Sequence, residues 1–159
     1  QGSGPRTLEE LIAFNDREAM REMPFFRQEL FLDAQATGGL ADPKYLEAHE
    51  RAQRLAGREG IDAALAKDHL DALIAPTVGP AWTTDLVNGD HFLGGGVTTP
   101  AAVAGYPHVT VPMGAVQGLP VGLSFVGAAW SEARLIGYAY AYEQATHARR
   151  APAFAATVP

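Results

Sequence analysis

The sequence contains no cysteine among its 159 residues. This absence excludes a disulfide scaffold, a thiolate nucleophile and a cysteine-ligated metal. Long apolar runs are also missing. The longest stretch of weakly polar residues, 135–142, is far shorter than the roughly 20 residues that a membrane-spanning helix requires. Basic residues are outnumbered, with 12 Lys and Arg against 18 Asp and Glu and a net charge of −6. We therefore expect neither a nucleic acid nor a membrane as a partner.

The composition that remains is that of a globular domain. Apolar residues make up 47% of the sequence and charged residues 19%, and the length suits one domain with a sizeable core. Residues 1–4 (QGSG) resemble the remnant of a cleaved expression tag, so we expect the domain to occupy residues 5–159. The sequence leaves the compartment unknown, and a cytoplasmic location is favoured because the N-terminus has no pattern of an export signal.

The first half of the sequence predicts three helices. Thr7 and Glu10 fit a capping box at the start of the first helix. Pro24 suits the first turn of a second helix. Asp42 and Pro43 predict the start of a third, which extends to about residue 65 and is weakened near its end by two glycines.

The second half predicts a small sheet. Residues 72–76 (ALIAP) indicate a short strand buried on both faces. Residues 77–97 contain five glycines and predict a long loop of functional or mobile character. A short helix that Gly105 should end follows, then a hairpin of strands at 109–112 and 121–126, and a last helix capped by Ser131. The fold class is therefore α/β, a small mixed sheet with a hairpin, covered by helices.

Side chains that could form a nucleophilic site are scarce. Outside residues 1–4, the sequence has two serines, Ser124 and Ser131, and two lysines, Lys44 and Lys67. The stretch GLSFVG around Ser124 resembles a nucleophile elbow but lacks its second glycine, and it lies within a predicted strand. We therefore expect Ser124 to be structural and predict no catalytic residue. The histidines lack metal-ligand spacing, so neither a metal nor another cofactor is expected.

Several motifs, taken in order, resemble the C-terminal third of the amidase-signature hydrolases. They are DALIAPT (71–77), PAAVAGYPHVTVPMG (100–114) and GLPVGLSFVGAAWSEARLIGYAYAYEQAT (118–146). The segment 8–39, with MPFFRQELF at 23–31, is similar to the peptide-amidase-like branch of that family. The resemblance implies that this chain is part of the larger amidase-signature α/β/α fold.

The resemblance also implies a chemistry and a location for the substrate. Members of the family use a Ser–cis-Ser–Lys set, which lies N-terminal to the part that this sequence matches, and no Ser-Ser pair occurs here. No catalytic residue is therefore transferred. The substrate-pocket side of the family corresponds to the loop with Trp82, His91 and Phe92 and to the helix start near Thr98. The implied partners are the missing N-terminal half of the parent amidase, a small amide substrate, and a second copy through an exposed sheet edge.

Two functional interpretations follow. The first is a C-terminal, substrate-pocket-side fragment of an amidase that hydrolyses C–N amide bonds and is inactive alone. The alternative is a stand-alone binding or scaffolding module that retains part of the amidase fold and uses residues 77–97 for a ligand or partner. The sequence does not identify the amide substrate.

Overall fold

The computed structural model describes residues 4–92, 94, 96–152 and 154, which form two units. One unit comprises the residues up to Glu47 together with Leu86–Asn88. The other comprises Ala48–Asp85 together with the residues from Gly89 onward. No helix within the described residues is long and apolar enough to cross a membrane.

The first unit contains three helices: α1 (Leu8–Arg17), α2 (Ala19–Glu22) and α3 (Glu29–Gln35). The Thr7 hydroxyl accepts a hydrogen bond from the Glu10 amide at 3.1 Å, as the capping-box prediction requires. The Glu10 carboxylate accepts from the amide of Arg6 at 2.7 Å rather than from that of Thr7. The predicted cap of α1 is confirmed, and its return bond lies one residue earlier than in a standard box.

The prediction that Pro24 begins the second helix is wrong, because α3 begins at Glu29. The physical reason is Gln28, which is buried and hydrogen-bonds back to α1. Its amide nitrogen donates to the Asp16 carboxylate at 2.7 Å and to an α1 carbonyl at 3.3 Å. Its amide oxygen accepts from Asn15 at 3.2 Å. Because these bonds satisfy a buried amide, they hold the chain before α3 in a non-helical conformation.

The third predicted helix is present as three consecutive elements: α4 (Pro43–Ala56), a π-helical segment (Gly57–Asp62) and α5 (Ala63–Lys67). The Asp42 carboxylate accepts from the Lys44 amide at 2.8 Å, which confirms the predicted start. The predicted weakening near the end takes the form of the π-helical segment. A Cβ atom at Gly60 would lie 2.5 Å from the Leu55 carbonyl oxygen, so this wider turn requires glycine.

The sheet has three strands: β1 (Leu73–Pro76), β2 (His108–Val116) and β3 (Leu119–Val126). Its strand order is β1-β3-β2, and both strand pairs are antiparallel. The helices and this sheet together confirm the α/β class. The described strands include no parallel pair, so the sheet is antiparallel and not mixed as predicted. The predicted hairpin is confirmed. Gln117 and Gly118 form its turn with φ of 48° and 76°, the left-handed values that match the twist of two-residue hairpins.

The prediction that the first strand is buried on both faces is wrong. Strand β1 lies at an edge of the three-stranded sheet, and its residues alternate between half-buried and exposed. Ile74 is 64% exposed. An apolar run without alternation predicts burial, but it does not show whether neighbouring strands and helices cover both faces.

Helices cover both faces of the sheet at the end that carries Val126. On one face, Val126 packs with Ile61, Leu65 and Ala101, from the π-helical segment, α5 and helix α6 (Thr98–Ala104). On the other face, Phe125 and Val111 pack with residues of helix α7 (Glu132–Thr146). Adjacent residues of a strand point to opposite faces, which is why Phe125 and Val126 belong to different clusters.

The connection between β1 and α6 is irregular, as predicted. The described residues within 77–97 form neither helix nor strand. Helix α6 ends at Gly105, whose φ of 71° is the left-handed conformation that favours glycine at a helix C-terminus. Ser131 occupies the position before α7, but the prediction that it caps the helix is wrong for its side chain, because the hydroxyl donates backward to the Ala128 carbonyl at 2.7 Å and makes no capping bond.

Candidate functional site

Four polar side chains meet on the sheet face that carries Val126. Strand register places Ser124 of β3 opposite Ala75 on one side and Thr110 on the other. Thr77 follows β1 directly, and His108 begins β2. Because alternate residues of a strand share a face, these side chains converge above the central strand.

Three hydroxyl groups form a closed ring, which we call the hydroxyl ring: Thr77, Thr110 and Ser124. The Ser124 Oγ donates to the Thr77 Oγ1 at 2.8 Å, and the Thr110 Oγ1 lies 2.9 Å from the Ser124 Oγ. A short hydrogen bond joins the hydroxyls of Thr77 and Thr110. Ser124 is fully buried, so these bonds satisfy a hydroxyl that has no access to water.

The hydrogen count of the ring fixes the role of His108. Each hydroxyl has one hydrogen, and three hydroxyl pairs use all three. Since Ser124 donates to Thr77, Thr77 donates to Thr110 and Thr110 donates to Ser124. The His108 Nε2, 2.6 Å from the Ser124 Oγ, must then donate to Ser124. This count places a hydrogen on the Nε2 of His108.

In this arrangement the Ser124 hydroxyl is not a hydrogen-bond donor to His108. A serine activated by histidine donates its hydrogen to the imidazole nitrogen. Here the Ser124 hydrogen is directed to Thr77, and His108 is a donor to Ser124 rather than a base. Ser124 lies within strand β3, as predicted, and is fully buried; its structural role stays a prediction.

The structure brings two of the four predicted substrate-side residues together. The rings of Trp82 and Phe92 lie edge to face, with centroids 5.6 Å apart and planes at 66°. Both side chains are exposed, Phe92 the more so at 66%. His91 is exposed beside Phe92, and Thr98 is the half-buried first residue of α6. Within the described residues, no hydrogen bond or ring contact joins His91 or Thr98 to the aromatic pair.

The two ends of the segment 77–97 approach each other beside the hydroxyl ring. The Thr77 amide donates to the Gly122 carbonyl of β3 at 2.8 Å. A Cβ atom at Gly96 would overlap the Thr77 carbonyl oxygen, and one at Gly79 would lie 3.5 Å from the Gly94 carbonyl oxygen. The segment therefore leaves the sheet at Thr77 and returns to the same place through glycines.

A hydrogen bond between Tyr106 and Asp62 joins the residues just before β2 to the π-helical segment. The Tyr106 hydroxyl donates to the Asp62 carboxylate at 2.6 Å. This hydrogen bond raises the pKa of Tyr106 above its ordinary value of 10.0, and burial and the carboxylate charge act in the same direction. No group of three or more acidic or histidine side chains in the described part of the chain could hold a metal ion.

Sequence reasoning did not identify the hydroxyl ring or His108 as a group. A signal was present in HVT at 108–110, where polar and apolar residues alternate at the start of a strand. A lone serine in the apolar run of β3 was a second signal. Neither shows which strands are neighbours, and the ring depends on that.

Comparison with known proteins identifies the family. A family model described as Amidase matches residues 5–136. A probable amidase of Arabidopsis thaliana is 35% identical over 153 residues, which cover 95% of this chain and 26% of that protein. The solved structure of native peptide amidase from Stenotrophomonas maltophilia is 57% identical with a TM-score of 0.85, covering 94% of this chain and 30% of its own. An amidase family protein from Bacillus anthracis is 29% identical with a TM-score of 0.71, over 93% of this chain and 26% of its own.

The helix-covered sheet and these matches define a part of an amidase fold, and the chain belongs to the amidase family. The resemblance to the peptide-amidase-like branch is confirmed by the match to the Stenotrophomonas enzyme. The chain spans about a quarter to a third of the length of the relatives it matches, 26% for the Arabidopsis protein and 30% for the peptide amidase.

Proposed function

We propose that this chain forms the substrate-pocket side of an amidase that hydrolyses C–N amide bonds, and that the chain alone is inactive. The observation that carries the proposal is the family match, which extends over residues 5–136 and includes the sheet and the segment 77–97. The remainder of the parent amidase is then the partner that supplies the nucleophile and its activating lysine. In keeping with this, the hydrogen of Ser124 is held within the hydroxyl ring.

The substrate wall that we propose consists of the exposed pair Trp82 and Phe92, with His91 and Thr98 at its margins. Exposed aromatic rings in edge-to-face contact offer apolar area and a polarised edge to a ligand. An amide with an apolar or aromatic side chain is the class of small substrate that such a wall favours. We also propose a cytoplasmic location for the parent enzyme.

The test compares the two tryptophans of the chain, Trp82 and Trp130, in the full-length amidase. Trp130 is 92% exposed in this chain and lies outside the segment 77–97, so it serves as the control. We expect Trp82→Ala to raise the KM for a phenylalanine amide about tenfold, which corresponds to about 1.4 kcal/mol of lost contact. Trp130→Ala should leave the KM unchanged.

Equal effects of the two substitutions would show that Trp82 does not contact substrate, and would refute the wall. If neither the parent enzyme nor its variants hydrolyse an amide, and this chain alone binds a ligand, the alternative of a binding or scaffolding module is favoured.

A further inference from the structure

We propose that Thr77 is a positioning residue, whose hydroxyl fixes the segment 77–97 to the sheet and thereby sets where Trp82 and Phe92 meet a substrate. The catalytic consequence of this inference rests on the proposed function. The structural part, that the hydroxyl ring holds the segment, stands on the geometry of Thr77 alone.

Thr77 is bonded to the sheet through both its backbone and its side chain. Its amide donates to the Gly122 carbonyl of β3 at 2.8 Å. Its hydroxyl accepts from Ser124 of β3 at 2.8 Å and is paired with the hydroxyl of Thr110 on β2. The first residue after β1 is therefore tied to both other strands, although β1 itself pairs only with β3.

Glycines let the chain approach Thr77 from two sides. A Cβ atom at Gly122 would lie 2.6 Å from the Thr77 Oγ1, which is closer than van der Waals contact allows. A Cβ atom at Gly96 would overlap the Thr77 carbonyl oxygen. The outgoing end of the segment and its returning end thus both depend on the position of one residue.

The described residues in the rest of the segment have no regular secondary structure. No ladder of backbone hydrogen bonds therefore fixes them. On the returning side, Val97 packs against the apolar cluster of Ile61, Leu65, Ala101 and Val126. The stretch 78–84, which carries Trp82, follows Thr77 directly, so loss of the Thr77 hydroxyl bonds loosens this outgoing stretch first.

The first test uses amide hydrogen exchange of this chain. Thr77→Val keeps the shape of the side chain and removes its hydroxyl. We expect exchange in peptides within 78–92 to become about five- to tenfold faster, the effect of about one lost hydrogen bond, while exchange in 121–126 changes less. Thr77→Ser retains the hydroxyl, and its amides should exchange at the rates of the unsubstituted chain. The control is Thr83→Val, an exposed threonine of the same segment.

A second variant disrupts the hydroxyl ring at a residue other than Thr77. Thr110→Val leaves Thr77 itself intact but deletes its hydroxyl partner 33 residues away. It should loosen the same peptides, and it keeps the inference testable if Thr77→Val does not fold. Unchanged exchange in 78–92 for either folded variant, or an equal loosening of 121–126, would overturn the positioning role.

The catalytic consequence is measured in the full-length amidase. We expect Thr77→Val to raise the KM several-fold with kcat changed less than about twofold, since the substrate wall moves and the reacting groups do not. Thr77→Ser should restore the KM. An unchanged KM beside a loosened segment would refute the link to substrate. If the full-length protein hydrolyses no amide, the proposed function fails, and the exchange comparison still decides the positioning role by itself.

Discussion

Replacing Ser124 with alanine tests the hydroxyl ring directly. Ser124 is fully buried and its oxygen makes hydrogen bonds to Thr77, Thr110 and His108. In Ser124→Ala, Thr77 and Thr110 keep their mutual bond. The His108 Nε2–H and one hydroxyl hydrogen are left without an acceptor.

The magnitude follows from those two donors. An unsatisfied buried donor costs about 1–3 kcal/mol. Thr110 is exposed and His108 is half-buried, so water recovers part of the loss and the lower half of that range applies to each. With about 1–2 kcal/mol for each of the two donors, we expect the free energy of unfolding to fall by about 2–4 kcal/mol.

Urea unfolding of this chain, followed by far-ultraviolet circular dichroism, measures the change. The matched control is Ser131→Ala, which removes a single hydroxyl bond to the Ala128 carbonyl and should cost about 1 kcal/mol or less. A change below about 0.5 kcal/mol for Ser124→Ala, the range of ordinary surface substitutions, would refute the ring as drawn.

Two further predictions concern pH and assembly. Because the pKa of Tyr106 is raised in the folded chain, stability that is complete below pH 10.0 should be lost as pH rises above it, and Tyr106→Phe should remove this loss in urea unfolding at pH 9–11. An identical pH dependence in both proteins would contradict the Tyr106–Asp62 pairing. The exposed edge of β1 should support self-association, seen as a concentration-dependent sedimentation coefficient that Ile74→Lys abolishes. A monomer at every concentration would exclude that contact.

Local signals in the sequence predicted those parts of the fold that local chemistry determines. Asp42 and Pro43 begin α4 because a side-chain acceptor and a fixed φ act within one turn of chain. Gly105 ends α6 for a similar reason, since its left-handed backbone is a property of one residue. Strand positions in the hairpin followed from β-rich runs on either side of a glycine-containing turn.

What the sequence did not predict depends on pairs distant along the chain. Gln28 displaces the start of α3 through bonds to residues 12–16 positions earlier, which no helix-start signal at Pro24 reports. The hydroxyl ring requires that Thr77 and Thr110 flank the same serine, a consequence of strand order rather than of any local pattern. The aromatic contact of Trp82 with Phe92 likewise spans ten positions of irregular chain.

Ammonia release from small amides, measured side by side for this chain and for the full-length protein that contains it, tests the central claim most directly. The account predicts turnover by the full-length amidase and none by this chain, because a substrate wall cannot replace a positioned nucleophile and oxyanion donors. Turnover by this chain alone that disappears in Ser124→Ala would contradict the account and make Ser124 a nucleophile.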